Sequence, residues 1–176
     1  MSAHTTFKIG GAAEFALFPL DTDAFIGAVS TLSDNGIKFM TVGNGSNLLF
    51  PDEGYDGVVV ITTQMKNIRA DGNRIYADAG APLTKAALAA RDASLTGLEF
   101  AYGIPASVGG AVYMNAGAYG GDISGVLISC RAYDTVRQTV ITLENTDCDF
   151  SYRNSIFEKS GARYHIIDAV FELTEG

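Results

Sequence analysis

Cations are missing from this 176-residue chain where its glycines are most concentrated. No lysine or arginine occurs from Asp92 to Cys130, and none lies between Lys38 and Lys66. Side-chain cations therefore cannot hold whatever those two stretches bind. The whole chain carries 12 basic and 20 acidic side chains, a formal charge of -8 and a pI near 4.6. That balance argues against nucleic acid or an anionic membrane surface as partner, because both are drawn to basic patches. Cysteine is nearly absent: Cys130 and Cys148 stand alone, with no CxxC, so neither a disulfide scaffold nor a zinc site is expected. Two reduced structural thiols in a cytoplasmic protein are the expectation. The N-terminus has no basic segment leading into an apolar one, as a secretory signal would. No apolar run approaches the ~20 residues of a spanning helix. Internal repeats and low-complexity segments are also lacking.

Hydrophobic residues make up 47% of the chain, enough for a real core in one domain or two small lobes. Thr96–Asp122, TGLEFAYGIPASVGGAVYMNAGAYGGD, is the dominant feature. So many glycines imply positive φ or close backbone approach, and successive free N–H groups in such a run make a concave donor surface suited to an anion. Gly43-Asn44-Gly45-Ser46-Asn47 is a second cation-free glycine loop. Together the two suggest one elongated anionic ligand held by backbone amides.

The expected elements begin with a short strand over Glu14–Pro19. An amphipathic helix follows, capped by Asp21 or Thr22, carrying Phe25, Ile26, Val29 and Leu32 and stopping at Gly36. Phe39–Val42 returns as a strand ending in the Gly43 loop, and ligands bind at such strand C-termini. Val58–Ile61 reads as a strand buried on both faces. From Met65 the pattern turns to hairpins, with Asp71-Gly72-Asn73 as a turn before a strand over Arg74–Ala77. A helix over Leu83–Ala93 follows, with Pro82 in its first turn. Strands over Ile128–Tyr133 and Thr139–Leu143 come next. Tyr164–Leu173 alternates, placing Ile167, Ala169, Phe171 and Leu173 on one face.

Familiar glycine-loop chemistries do not fit. No GxxxxGK[ST] occurs, and Leu48 stands where a dinucleotide fingerprint needs its third glycine. Ser107 is no nucleophile elbow, since Pro105 stands two residues before it. His4 and His165, the only histidines, are far apart in sequence.

Four motifs do agree with one family. TTFKIGG (Thr5–Gly11), VGNGSNLL (Val42–Leu49), GLEFAYGIPASVGGAVYMNAGAYGG (Gly97–Gly121) and FSYRNSIF (Phe150–Phe157) resemble, in order, the UDP-N-acetylenolpyruvoylglucosamine reductase (MurB) family, in its form with a shorter substrate-domain loop. The resemblance implies an α+β chain with the FAD-binding fold of the vanillyl-alcohol oxidase (PCMH) type. Its two α+β lobes, 1–66 and 67–176, would clasp FAD, and the family's C-terminal substrate domain would be absent from this chain. It assigns Val42, Gly43, Asn44, Gly45, Ser46, Asn47 and Leu48 to the cofactor loop. Gly103, Ile104, Pro105, Ser107, Gly109 and Gly110 would meet the pyrophosphate, ribityl chain and ring, and Asn115, Ala116, Gly117 and Tyr119 would lie near the isoalloxazine. Read from the residues alone, Tyr113 and Met114 fit core packing as well as contact. Arg153, beside Tyr152, would face the enolpyruvyl group of a UDP-sugar substrate and stabilise a developing enolate.

The implied reaction of the parent protein passes hydride from NADPH to the flavin and on to the enolpyruvyl double bond, in peptidoglycan precursor synthesis and so in cell-wall biogenesis, cell shape and division. The family's serine proton donor and second catalytic glutamate belong to the C-terminal domain, so this chain alone is expected to bind FAD without completing the reaction. Two other readings stand beside this one: another flavin oxidoreductase of the same fold, or a stand-alone, non-catalytic flavin-binding module. The motifs imply no metal.

Overall fold

The computed structural model describes residues 1–176. Its first sheet is built by strands β1 (Ala13–Leu17), β2 (Phe39–Val42) and β3 (Tyr55–Ile61), with helix α1 (Thr22–Asp34) between β1 and β2 in the chain. The strands are parallel in the order β1-β3-β2, leaving β2 as an edge. Asp21 is the α1 cap: its carboxylate accepts from the Ala24 N–H at 2.8 Å. The helix buries Phe25, Val29 and Leu32 against Val58, Val60 and Met65. The β3 strand starts before the expected Val58 and runs through Gly57. At φ 145° that residue lies against the Lys38 carbonyl, where a side chain would not fit.

The second sheet comprises β4 (Ile68–Asp71), β5 (Arg74–Asp78), β9 (Leu127–Asp134), β10 (Thr139–Glu144) and β11 (Tyr164–Glu172), antiparallel in the order β10-β9-β11-β5-β4. Helix α2 (Leu83–Asp92), the two-residue strand β6 (Leu95–Thr96), helix α3 (Val108–Tyr113) and the ribbon β7 (Gly117–Ala118) and β8 (Gly121–Asp122) lie between β5 and β9. A short α4 (Ile156–Lys159) precedes β11, and β12 (Thr174–Glu175) pairs with β6. Pro82 is the N-cap residue of α2 and not part of its first turn. Nothing in the glycine-rich run announced α3, which contains Gly109 and Gly110.

The alternation expected along β11 breaks at a β-bulge between Ile166 and Asp168. Ile166 joins Ala169, Phe171 and Leu173 in the large core of the antiparallel lobe, whereas Ile167 turns the other way. It packs with Tyr133 against Phe25, Val29 and Val60 from the parallel lobe. A bulge shifts the pleat by one residue and so sends neighbouring side chains into different cores. Here that shift supplies the apolar seam between the lobes.

Candidate functional site

A cleft of about 750 Å³ opens between the two lobes, within the usual size range of cofactor pockets. Its walls come from β2 and the loop after it, from the segment leading into α3, from α3 itself and from the start of β11. Val42, Gly43, Asn44, Gly45, Ser46, Asn47 and Leu48 line it, as do Ile104, Pro105, Ser107, Gly109, Gly110, Ala116 and Arg153. Gly103, Asn115, Gly117, Tyr119 and Tyr152 do not.

The two glycine-rich segments meet directly. Gly43 approaches the Ser107 hydroxyl so closely that a Cβ would overlap it, and the Asn44 amide donates to the Pro105 carbonyl at 3.3 Å. Their donor groups, however, are used differently. The α3 end is spent on its own packing. Val108 and Gly109 N–H donate to the carbonyls of Ala81 and Ala79, both at 2.8 Å, and Gly110 N–H to Ser107 Oγ at 3.2 Å. Ile104, Ala106 and Ala111 N–H are likewise taken by backbone carbonyls. From Gly43 to Leu48, by contrast, no backbone N–H meets an acceptor within the chain, and the segment belongs to no helix or strand. Gly45, at φ 62°, sits against the His4 carbonyl, and the N-terminal segment holds the loop from behind through Thr6 N–H to Gly45 O at 3.2 Å. The result is a row of unspent donors on residues that line a cleft, an arrangement suited to binding phosphate without a cation. It fits an elongated ligand with a pyrophosphate.

Arg153 is the only formally charged residue on the cleft wall. It has a left-handed φ of 55°, and its Nη2 donates to the Gly117 carbonyl at 2.8 Å. Close by, Asn154 Oδ1 is the one buried side-chain polar atom with no partner. Asn115 is buried and acts structurally: its amide donates to Ser151 O at 3.1 Å and its Oδ1 accepts from Ser124 N–H at 2.9 Å, tying the ribbon to the loop that bears Arg153. Tyr119 and Tyr152 are 96% and 92% exposed and stand clear of the cleft. The two cysteines lie within the antiparallel lobe, free and buried, with sulfurs 4.0 Å apart. Hydrogen bonding to Cys148 and burial push the Cys130 thiol well up from its ordinary value.

Sequence reasoning missed one end of the cleft. Phe39, Met40 and Thr41 form one side there, with Gly161, Ala162, Tyr164, His165 and Ile166 opposite. His165 is buried and stacked on Phe39 with ring centroids 4.7 Å apart. Burial lowers its pKa to about 4, so the ring is neutral near pH 7. Tyr113 and Met114, which sequence alone left open between packing and contact, also line the wall.

Two α+β lobes around a cleft with an amide-lined, cation-free loop define a domain that binds a dinucleotide-type cofactor. The family model described as an FAD binding domain matches residues 13–143, and the chain belongs to that family. Along its full length the chain is 43% identical to the UDP-N-acetylenolpyruvoylglucosamine reductase of Clostridium novyi, covering 56% of that protein. It is 46% identical over 169 residues to the same-named protein of Caldicellulosiruptor bescii, covering 96% of the chain and 53% of the relative. The chain thus spans little more than half the length of the curated relatives it matches. The crystal structure of the reductase (MurB) from Thermus caldophilus superposes with a TM-score of 0.81 at 28% identity, over 99% of this chain and 60% of that one. Phl p 4.0202, a glucose dehydrogenase, shares the fold at TM-score 0.70 and 13% identity, over 98% and 38% of the two chains. The resemblance carried by the four motifs and the expected fold class are both borne out.

Proposed function

We propose that this chain is the FAD-binding region of an NADPH-dependent UDP-N-acetylenolpyruvoylglucosamine reductase, which makes UDP-N-acetylmuramate for peptidoglycan in the cytoplasm. The observation that carries the reading is the run of unspent N–H donors from Gly43 to Leu48 on a cleft wall with one charged residue. These amides would hold the cofactor's pyrophosphate, with the Ser46 hydroxyl beside them. The chemistry a bound flavin supplies is two-electron hydride exchange between NADPH and the enolpyruvyl double bond. Lobes divided near residue 66 place the amide loop on one side and α3 on the other. Ile104, Pro105 and Ala116 supply apolar surface, which keeps water from that part of the cleft.

Arg153 is the group on this chain suited to the substrate. Its guanidinium would leave the Gly117 carbonyl to receive a carboxylate, a stronger, charge-assisted acceptor. The left-handed backbone at that residue fixes the base of the side chain next to the ribbon. Parent-protein roles in cell-wall synthesis, cell shape and division follow from this reading, with no nucleic acid or membrane partner.

Titration of the 176-residue chain with FAD, followed by flavin spectra before and after NADPH, tests the proposal. Saturable FAD binding without turnover of the enolpyruvyl substrate is expected. No binding at micromolar FAD would overturn it, whereas binding with reduction of a different acceptor would favour another flavin oxidoreductase of this fold. In the longer protein, Arg153→Ala should leave FAD affinity within about twofold and lower kcat/KM for the enolpyruvyl substrate by about 100-fold or more.

A further inference from the structure

The far end of the cleft is closed by a contact that joins the lobes through one side chain. Thr41 Oγ1 and His165 Nδ1 are 2.7 Å apart, and His165 Nε2 lies 3.1 Å from the Ala162 carbonyl. A carbonyl only accepts, so Nε2 carries the proton; Nδ1 of the neutral ring then accepts from the Thr41 hydroxyl. One ring face covers Phe39. Both nitrogens and that face are thereby committed, which leaves the ring no proton to exchange with a ligand.

The position of this contact matters as much as its chemistry. Thr41 lies on β2, the edge of the parallel sheet, whereas His165 lies near the start of β11, before that strand begins to pair with β5 at Asp168. The three other side-chain hydrogen bonds between the lobes, Asn44 to Pro105, Asn47 to Met114 and Gln138 to Asp34, all lie at exposed positions. Only Thr41–His165 is sheltered. The turn it reaches is held on its other side too: Arg163 donates to Asp134 at 3.0 and 2.8 Å, and Thr135 Oγ1 donates to the Arg163 carbonyl at 3.1 Å. Gly161 and Ala162 of that turn are themselves part of the cleft wall.

We propose that His165 is a positioning residue, a clasp joining β2 to the 161–163 turn, which sets the separation of the lobes and so the width of the cofactor cleft. This inference rests on the cofactor reading above for its ligand, though not for its geometry. Its removal loosens one end of the cleft while leaving the amide loop, α3 and both sheets in place.

The test uses the full 176-residue chain with two readouts. Thr41→Val keeps the side-chain shape and deletes one hydrogen bond. It should weaken FAD affinity about fivefold, the effect of one such bond. His165→Phe keeps the stacking and deletes both bonds, for about tenfold or more. His165→Asn offers an acceptor in place of Nδ1 and should recover part of the loss, but not when combined with Thr41→Val. Leu143→Ala, within the core of the antiparallel lobe and away from both seam and cleft, should lower Tm without changing FAD affinity beyond about twofold.

The second readout needs no flavin. Spin labels at L20C and V136C, both 72% exposed and one in each lobe, should give a narrow distance distribution in the parent chain and a broad one in the Thr41→Val and His165→Phe backgrounds. Broadening in a chain that binds no FAD would uphold the clasp and overturn the cofactor reading. Unchanged distances, or unchanged FAD affinity in both variants, would overturn the clasp.

Discussion

Two glycine-rich segments face each other across the cleft, and they do opposite things with the same backbone chemistry. The loop from Gly43 to Leu48 leaves its N–H groups unspent, whereas the segment around α3 gives its own to Ala79, Ala81 and Ser107. Glycine has a different use in each. In the loop it permits the left-handed turn at Gly45 and the contact between Gly43 and Ser107; at Gly109 it lets a helix come against Ala79. A glycine count therefore locates a site but does not say which of its residues bind. That is decided by where each amide's acceptor is.

The sharpest way to break this comparison is to add one methyl group to each side. In Gly43→Ala the new Cβ would overlap Ser107 Oγ, so either the amide loop or the α3 cap must shift. FAD affinity should fall about 100-fold, equivalent to ~3 kcal/mol of repacking strain. Gly103→Ala meets nothing within 4 Å and should change affinity by less than about twofold and stability by no more than ~0.5 kcal/mol. Fluorescence titration of the two purified variants decides the matter. Equal losses would mean that the close approach of Gly43 to Ser107 does not set the affinity.

Much of this site was legible in the residues. The lack of cations pointed to backbone recognition, and spacing placed α1, β2 and the loop after it. What stayed hidden depended on distant partners. No local signal shows that Val108 and Gly109 would be drawn to carbonyls before α2, because that pairing comes from how the segments pack. The bulge that parts Ile166 from Ile167 has no composition of its own, and period-2 alternation reads straight through it. His165 looked inert because its partner Thr41 is 124 residues away. Tyr119, Tyr152 and Asn115 were carried into the site by their motifs, but here the two tyrosines face solvent and Asn115 braces the ribbon.

The 161–163 turn offers the next contrast, since it touches both a neutral buried histidine and a charged buried aspartate. His165 takes up a proton near pH 4 when folded and near 6.5 when exposed. Its contribution to stability is full above pH 6.5, shrinks as pH falls and is gone below 4, a change of about 3 kcal/mol. Asp134 runs on a lower scale. Arg163 hydrogen bonding, with help from the Val136 and Arg137 amides, lowers it to about 2 from an ordinary 3.8, so its contribution is lost only as pH falls through that lower window. Urea unfolding between pH 7 and 4 should therefore show a slope that His165→Asn removes. If the slope persists in that variant, the proton is being taken up elsewhere.

The smallest effects separate the two segments most cleanly, through one serine in each. Ser107 Oγ caps α3 by accepting from Gly110 N–H; its removal should cost about 1 kcal/mol of stability, as loss of a helix cap does. Ser46 has no hydrogen-bond partner within the chain and stands among unspent amides, so Ser46→Ala should leave the urea midpoint unchanged. What it loses appears only when FAD is present: a drop in affinity of about threefold to tenfold, the worth of one hydroxyl to a charged oxygen. Ser107→Ala should show the reverse balance, with most of its loss in the cofactor-free chain. The measurement is a pair of unfolding curves for each variant, with and without saturating FAD. Should Ser46→Ala destabilise the free chain as much as Ser107→Ala does, the loop's donors are serving the fold after all, and the division between a binding segment and a packing segment fails.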